Sequence, residues 1–252
     1  MGGNNLKKKI FLLILIITFL TNGYSYCEKP GISAQAAILI DSKSGRVLLE
    51  YNPHIKLPMA STTKIMTALV ALENGELDDK VKIKRDEIGI EGSSIYLYEG
   101  EVISLEDLLY GLMLRSGNDS AVSIANFIGE TQEEFINMMN KKAIEIGAIN
   151  TNFMNPHGLH DDNHYTTAYD LALITREAMK KEEFKEISKT KIWKANRDKN
   201  NIFYNKNNNL WEYEGGDGVK IGYTKRAGRC LVSSATRNDT QLVSVVLNDG
   251  NW

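Results

Sequence analysis

The chain has no excess of charge of either sign, and this absence limits its partners. Its 252 residues carry 30 lysines and arginines against 32 aspartates and glutamates, a formal net charge of −2 at pH 7. Nucleic-acid-binding domains are typically strongly basic, so we predict no nucleic-acid partner. Internal repeats and low-complexity tracts are absent as well. The composition, 42% hydrophobic and 25% charged, is typical of one large globular domain or two small ones.

Cysteine is scarce, and its two positions argue against a disulfide. Cys27 lies where an export signal would be processed, and Cys230 lies inside the apolar segment CLVSSA. We therefore predict that Cys230 is a small buried residue and that the two cysteines form no bridge. Lipidation of Cys27 is an open alternative, which the bulky Tyr26 before it disfavours.

Long hydrophobic runs are limited to residues 10–20, which follow three lysines at 7–9. A comfortable membrane-spanning helix needs about 20 apolar residues, whereas a basic segment followed by a short apolar run is typical of a secretory signal. We predict that residues 1–27 are a signal peptide or, alternatively, an uncleaved N-terminal anchor. Either way the protein is expected to be exported, and membrane attachment would depend on this segment.

The remaining chain predicts an α/β (α+β) fold with one antiparallel sheet of about five strands packed by helices. Segments 36–41 and 46–51 form a predicted hairpin that turns at Gly45, and three strands are predicted at 218–225, 229–237 and 241–249. Glycines at 75, 129 and 147 and a serine at 104 delimit predicted helices. These helices cover 61–74, 104–114, 120–129, 131–147 and 167–180, and the polar segment 181–216 is predicted as loop or short surface strands.

Ser61 and Lys64 are the first candidates for chemistry, because they lie three positions apart in the otherwise apolar helix PMASTTKIMTALVALENG (58–75). This spacing places both side chains on one helix face. A free lysine, with a pKa of about 10.4, is a poor base, but burial among apolar neighbours would lower that pKa. The amine could then take the hydroxyl proton and activate Ser61 as a nucleophile. Backbone N–H groups at the helix start could hold an oxyanion.

The structural alternative is that Ser61 only caps its helix while Lys64 extends to solvent. An isolated S-x-x-K pattern does not decide between the two. Two further patterns favour the catalytic interpretation: RSGND (115–119) places Ser116 and Asn118 between two predicted helices, and GVKIGYT (218–224) places Lys220 and Gly222 on a strand.

S-x-x-K, S-x-N and K-x-G in this order resemble the three motifs of penicillin-binding proteins and serine β-lactamases. Within that superfamily the chain is most similar to the D-alanyl-D-alanine carboxypeptidases of low molecular mass. The resemblance extends over residues 35–249 and includes six blocks: PMASTTKIMTAL, EGSSIYLYEGE, LMLRSGNDSAVSIA, FMNPHGL, HYTTAYDLALI and GRCLVSSATR.

The resemblance implies that Ser61 forms an acyl-enzyme with Lys64 as its proton acceptor, and that Ser116 relays a proton to the leaving D-alanine. The substrate would be a peptidoglycan stem peptide lying along the 218–225 strand, with β-lactams as covalent inhibitors and no cofactor or metal. Its implied contacts are Asn118 with the backbone amide, Lys220 with the terminal carboxylate, Gly222 where the peptide approaches closely, and the N–H groups of Ser61 and Tyr223 as the oxyanion hole.

One position departs from the family pattern. The third motif is K-T-G in the family, whereas this chain has Lys220-Ile221-Gly222. The family threonine donates a hydrogen bond to the ligand carboxylate, and such a bond is worth about 1.5–3 kcal/mol. We therefore predict activity weakened by about ten- to a hundred-fold, without loss of the fold.

Two rival functions remain open at this stage. A serine β-lactamase of class A needs a glutamate after the second motif, and segment 150–163 contains none. A catalytically weakened wall-binding protein is supported only by Ile221 and by the expectation that the final helix is missing after Trp252.

Histidines 157, 160 and 164 are predicted as structural turns rather than a metal site. Residues 31–252 are expected to form the catalytic domain, without the final helix and C-terminal β domain of many relatives.

Overall fold

The structure is a computed structural model that describes residues 31–250. The predicted export segment, including Cys27, lies outside these residues. The described elements follow in chain order: β1 (Ala36–Asp41), β2 (Val47–Tyr51), α1 (Lys64–Asn74), β3 (Lys80–Lys82), β4 (Val102–Ser104), α2 (Leu105–Leu114), α3 (Asn118–Gly129), α4 (Gln132–Ile146), α5 (Ala168–Ala178), α6 (Glu182–Lys189), β5 (Ile192–Lys194), β6 (Ile202–Tyr204), α7 (Asn209–Glu212), β7 (Gly216–Thr224), β8 (Gly228–Arg237) and β9 (Thr240–Asp249).

The predicted five-stranded antiparallel sheet is confirmed, with strand order β2-β1-β9-β8-β7. Gly45 turns the first hairpin at φ 76°, and Asn238 and Asp239 turn the last one at φ 46° and 59°. Two successive residues with positive φ give the turn whose twist matches that of the flanking strands. The chain therefore joins its first two and last three strands in one sheet, and β7 lies at an edge.

Helix α1, which follows the predicted nucleophile, is deeply buried, because every residue from 64 to 71 is buried. A helix that is apolar on all sides packs on all sides, and α1 contacts helices α2, α3, α4, α5 and α6. Within residues 31–250 no helix has both the length and the apolarity needed to cross a membrane.

Helices α2 and α4 have the caps predicted at Ser104 and Gly147, whereas Gly129 is the last residue of α3 and Glu130, at φ 61°, is its cap. Ser104 accepts a hydrogen bond from the Asp107 N–H at 3.1 Å, and Thr167, which was predicted as the first helical residue, instead caps α5 by accepting from the Asp170 N–H at 3.0 Å. Gly147 ends α4 in the left-handed region at φ 89°, as expected for a glycine cap. Gly75 also ends its helix, but at φ −141°. A Cβ at position 75 would lie 2.7 Å from the terminal methyl carbons of Leu105 and Ile128, so these side chains would have to move.

The prediction for residues 181–216 was incomplete. The strands β5 and β6 pair as expected for short surface strands, but the same segment also forms helices α6 and α7. Only Phe184 and Ile187 bury apolar side chains in α6, which is too few to produce a clear helical pattern in the sequence. The small β3–β4 sheet was not predicted either, because each strand has only three residues.

Candidate active site

Ser61 lies in a single turn of 3-10 helix, Ala60–Thr63, that leads directly into α1. Ala60 has φ 47°, a conformation that is uncommon for a residue with a side chain. The hydroxyl of Thr62 donates to the Met59 carbonyl at 2.6 Å, and both neighbours of Ser61 are buried while Ser61 itself is partly exposed. The turn therefore presents the Ser61 hydroxyl at the start of a buried helix, where backbone N–H groups lack helical partners.

The loop 154–164 holds this turn in place. The Met154 N–H donates to His164 Nδ1 at 3.0 Å, so the ring hydrogen is on Nε2, which donates to Thr63 Oγ1 at 2.8 Å. Thr63 in turn donates to the Ala60 carbonyl at 2.7 Å. Burial lowers the pKa of His164 from 6.5 to about 4, which keeps the ring neutral. Gly158, at φ 89°, lies so close that a Cβ would overlap the Ala60 carbonyl.

The Lys64 amine is fully buried and has three polar neighbours. Nζ lies 2.7 Å from Asn118 Oδ1, 2.6 Å from the His157 carbonyl oxygen and 3.1 Å from Ser61 Oγ. Burial, and next the charge of Lys220, holds the pKa of Lys64 well below its ordinary value. A neutral amine has two hydrogens, and the two carbonyl oxygens take both. With both hydrogens given to these oxygens, the lone pair of the neutral amine can accept the Ser61 hydroxyl hydrogen.

Ser116 and Asn118 lie at the junction of α2 and α3, as predicted. Ser116 is buried and has φ 62°, and α3 begins at Asn118. The Asn118 side chain donates from Nδ2 to the Glu91 carbonyl at 2.5 Å, while its Oδ1 faces Lys64. Both ends of the amide thus have partners inside the protein, and one lone pair on Oδ1 remains for a substrate N–H.

Lys220 extends from β7 to the same junction. Its buried Nζ donates to Ser116 Oγ at 3.0 Å and to the Ile221 carbonyl at 2.9 Å. Burial, with a smaller contribution from the charge of Lys206, lowers the pKa of Lys220 from 10.5 to about 7. Two weakly basic amines therefore contact two hydroxyls: Lys64 with Ser61, and Lys220 with Ser116.

Gly222 brings β7 against the Ser61 turn. A Cβ at Gly222 would lie 2.9 Å from the Ser61 backbone nitrogen and 3.1 Å from that of Thr62. The sequence predicts that Gly222 leaves room for a substrate, whereas in the structure the backbone of the Ser61 turn lies in that direction. Tyr223 follows on the strand with 64% of its surface exposed.

Ile221 points away from Lys220 and Gly222, because side chains alternate along a strand. It lines a cavity of about 360 Å³ together with Leu231, Lys206 and Glu212 and with asparagines 207, 208 and 209. The only hydrogen-bonding groups of Ile221 are those of its backbone, so this side of β7 offers no hydroxyl at the third motif.

Asp119 and the His157 carbonyl were missed by the sequence analysis. Asp119 is buried, and its carboxylate accepts from the Ser94 hydroxyl at 2.5 Å and from the Ile95 and Leu97 N–H groups at 3.1 Å. It thereby ties segment 93–98 to the second motif. Asp119 could have been noticed as an acid directly after S-x-N. A backbone carbonyl such as that of His157 has no sequence signature.

His157, His160 and the buried Cys230 also have partners close to them in the chain. His157 Nδ1 accepts from the Leu159 N–H at 3.1 Å, and His160 Nε2 lies 3.3 Å from Asp162 Oδ1. In the described part of the chain, no group of three or more His, Cys, Asp or Glu side chains is arranged to hold a metal ion. Cys230 is buried, as predicted, and burial raises its pKa to about 11.

Comparison of the chain with known proteins identifies one family. A family model described as D-alanyl-D-alanine carboxypeptidase matches residues 25–251. The D-alanyl-D-alanine carboxypeptidase DacF of Bacillus subtilis (strain 168) is 36% identical over 253 residues, which cover 96% of this chain. DacC of Escherichia coli (strain K12), of the same description, is 37% identical over 87% of this chain.

The fold agrees with that similarity. The crystal structure of a D-alanyl-D-alanine carboxypeptidase from Mycobacterium tuberculosis superposes with a TM-score of 0.85 at 32% identity, covering 88% of this chain and 85% of that one. The matched region spans 65% of the Bacillus relative and 58% of the Escherichia relative. By both sequence and structure, the chain belongs to the D-alanyl-D-alanine carboxypeptidase family.

Proposed function

We propose that the protein removes the terminal D-alanine from peptidoglycan stem pentapeptides through an acyl intermediate on Ser61. The observation that carries this proposal is the Lys64 amine: it is buried, 3.1 Å from Ser61 Oγ, and held by two carbonyl oxygens. That arrangement leaves a base with its lone pair toward one hydroxyl.

In the proposed acylation, the Ser61 hydroxyl gives its proton to Lys64 while Oγ attacks the carbonyl of the penultimate D-alanine. The backbone N–H groups of Ser61 and Tyr223 stabilise the oxyanion. The C–N bond then breaks, and the leaving amine takes the proton that Ser61 gave to Lys64, relayed through the Ser116 hydroxyl, which Lys220 contacts at 3.0 Å. Lys64, neutral again, then takes a proton from the water that attacks the ester, and it gives that proton to Ser61 Oγ as the C–O bond breaks.

Substrate recognition is proposed to combine an added strand with positive charge. Strand β7 is at the edge of the sheet, so an extended peptide can lie beside it. The Asn118 amide would contact the peptide backbone. Lys220, with Lys206 nearby, would attract the terminal carboxylate, and an anion beside Lys220 would raise its pKa from about 7.

The same acylation predicts that β-lactams bind covalently to Ser61. Segment 150–163, in which a class A β-lactamase would carry a glutamate, has none. We therefore propose slow release of the bound drug rather than a β-lactamase function. The family relationship and the Ser61–Lys64 contact also favour an enzyme over a wall-binding module.

Intact-protein mass spectrometry after penicillin treatment tests the covalent step, and release of D-alanine from a synthetic pentapeptide tests turnover. The expected result is one penicillin adduct mapped to the Ser61 peptide, and its absence from Ser61→Ala. Lys64→Met should lower both acylation and D-alanine release by at least about a hundred-fold. The exposed Lys43→Met is the matched control. A protein with no adduct, or with an adduct that survives Ser61→Ala, would contradict the proposal.

Export through residues 1–27 is part of the proposal, since peptidoglycan lies outside the cytoplasmic membrane. Residues 7–20 supply the basic and apolar regions of a signal. Cell fractionation should find the full chain outside the cytoplasm and a chain without residues 1–27 in the cytoplasmic fraction. N-terminal sequencing of the full chain will distinguish a cleaved signal from a retained anchor.

A further inference from the structure

The backbone of residues 91–93, here called the Asn118 seat, holds the side chain that contacts Lys64. The Glu91 carbonyl accepts from Asn118 Nδ2 at 2.5 Å, and the Ser93 carbonyl accepts from the Asn118 backbone N–H at 2.7 Å. A Cβ on the glycine between them would lie 2.8 Å from Asn118 Nδ2, so the backbone approaches the amide closely. The position of the seat therefore sets the orientation of the amide whose Oδ1 accepts from Lys64 at 2.7 Å.

The chain around the Asn118 seat needs support from other parts of the protein, because residues 88–101 form neither helix nor strand. Tyr96, with φ 60°, has a conformation that is uncommon for a residue with a side chain. Buried backbone groups outside regular structure find their partners in side chains or water. Asp119 supplies one such partner, since its carboxylate accepts from the Leu97 N–H at 3.1 Å.

Arg197, in the turn between β5 and β6, holds the same segment from the other side. Its Nη1 donates to the Ile95 carbonyl at 2.8 Å, and its Nη2 donates to the Tyr96 carbonyl at 3.1 Å. The Tyr96 carbonyl and the Leu97 N–H belong to one peptide unit. A guanidinium therefore holds one end of this unit while the Asp119 carboxylate holds the other.

A buried carboxylate fixes the guanidinium in turn. Glu101 accepts from Arg197 Nε at 2.5 Å and from Nη2 at 3.0 Å, and the two side chains are only 4% and 2% exposed. Two parallel bonds of this kind set the plane of the guanidinium as well as its distance. A lysine has no such planar fork, so the arrangement requires arginine.

We propose that Arg197 and Glu101 are positioning residues that set the orientation of Asn118 and, through it, of the Lys64 amine. The guanidinium fixes two carbonyls of the irregular segment, the segment fixes the Asn118 seat, and the seat fixes the amide that takes one Lys64 hydrogen. A displacement of about 1 Å that begins far from the reacting atoms can lower a rate by about a hundred-fold. Loss of the pair therefore slows acylation of Ser61, although neither residue touches the substrate. This inference rests on the proposed function, because it concerns the same site.

The test replaces the pair by two apolar side chains, Arg197→Met together with Glu101→Met. Exchange of a buried ion pair for apolar residues of similar volume is often neutral for stability, but it removes both bonds to the carbonyls of the segment. The rate constant for acylation by fluorescent penicillin is expected to fall by about ten- to a hundred-fold, with a thermal transition close to that of the unaltered protein. Arg85→Met is the matched control and should keep the full rate, because Arg85 pairs with Glu99 of the same segment on the exposed surface.

A second measurement separates positioning from a general loosening of the protein. In Asn118→Ala no amide is left to orient, so the same double substitution should change the acylation rate constant by less than about two-fold in that background. An equal loss with and without Asn118 would show that the pair does not act through this side chain, and the inference would be wrong.

Arg197→Lys keeps the buried pair of charges and decides the question if the double variant does not fold. Its single ammonium cannot hold two carbonyls and a carboxylate in one plane, so the acylation rate constant should fall by at least about three-fold. A full rate in the double variant or, if that is unfolded, in Arg197→Lys overturns the inference, while the adduct on Ser61 still supports the proposed function. If the unaltered protein forms no adduct, the proposed function fails and the inference fails with it.

Discussion

At the scale of single residues, the site is a set of hydrogen bonds that fix where protons are. The spacing of Ser61 and Lys64 predicted that they share a helix face, and their atoms lie 3.1 Å apart. The sequence could not predict that Asn118 and the His157 carbonyl take the hydrogens of the Lys64 amine. Those contacts join residues 54 and 93 positions apart, and one partner is a backbone atom.

Ile221→Thr is expected to raise both the rate of D-alanine release and the rate of penicillin acylation by about ten-fold or more. A hydroxyl that donates to the ligand carboxylate contributes about 1.5–3 kcal/mol. Ile221→Val is the control, because valine has the shape of threonine without its hydroxyl. Steady-state kinetics on the purified variants provide the measurement, and equal rates for threonine and valine would show that the missing hydroxyl does not limit activity.

At the scale of elements, the parts with strong local signals were predicted and the irregular parts were not. The hairpin at Gly45 and the cap at Ser104 depend on neighbouring residues, so the sequence contains the needed information. The 3-10 turn before α1 was not predicted, because it is stabilised by Gly158 and His164 from a distant loop.

The contact between β7 and the Ser61 turn predicts that Gly222→Ala will lower the rate of the chemical step. The added Cβ would lie 2.9 Å from the Ser61 nitrogen, so it should displace the nucleophile and the oxyanion hole. We expect kcat for D-alanine release and the penicillin acylation rate constant to fall together by at least about ten-fold, with a thermal transition confirming a folded protein. A raised KM with an unchanged kcat would instead indicate that the glycine leaves room for substrate.

At the scale of the whole molecule, the site is assembled from segments that are more than a hundred residues apart. Ser116 meets Lys220 across 104 positions and Thr63 meets His164 across 101. Periodicity and caps located each segment, but only the family resemblance joined them in one site. The order of the strands in the sheet explains the assembly, because β7 at the edge lies directly beside the Ser61 turn.

Buried neutral histidines predict that the protein loses stability in mild acid. Burial lowers the pKa of His164 from 6.5 to about 4 and that of His157 to about 3. Below pH 6.5 the unfolded chain binds protons that the folded protein does not. Above pH 6.5 the histidines do not reduce the free energy of unfolding. As the pH decreases from 6.5 toward the folded-state pKa, each histidine lowers that free energy by up to about 1.4 kcal/mol per pH unit.

Urea unfolding at pH 7.5 and pH 5 provides the measurement. His164→Gln should be less stable at pH 7.5 but should lose less stability on going to pH 5 than the unaltered protein. His54→Gln, at an exposed position, serves as the control and should keep the original dependence. An unchanged pH dependence in His164→Gln would show that His164 is not the titrating group.

The two buried amines have a consequence for how tightly the molecule holds together. Within residues 31–250, neither Lys64 nor Lys220 has a carboxylate within ion-pair distance, although taking an amine out of water is costly. The desolvation of the two amines therefore lowers the free energy of unfolding of the ligand-free protein. A bound ligand that supplies the missing negative charge offsets this cost, so the peptide that the protein is proposed to cut should also stabilise its fold.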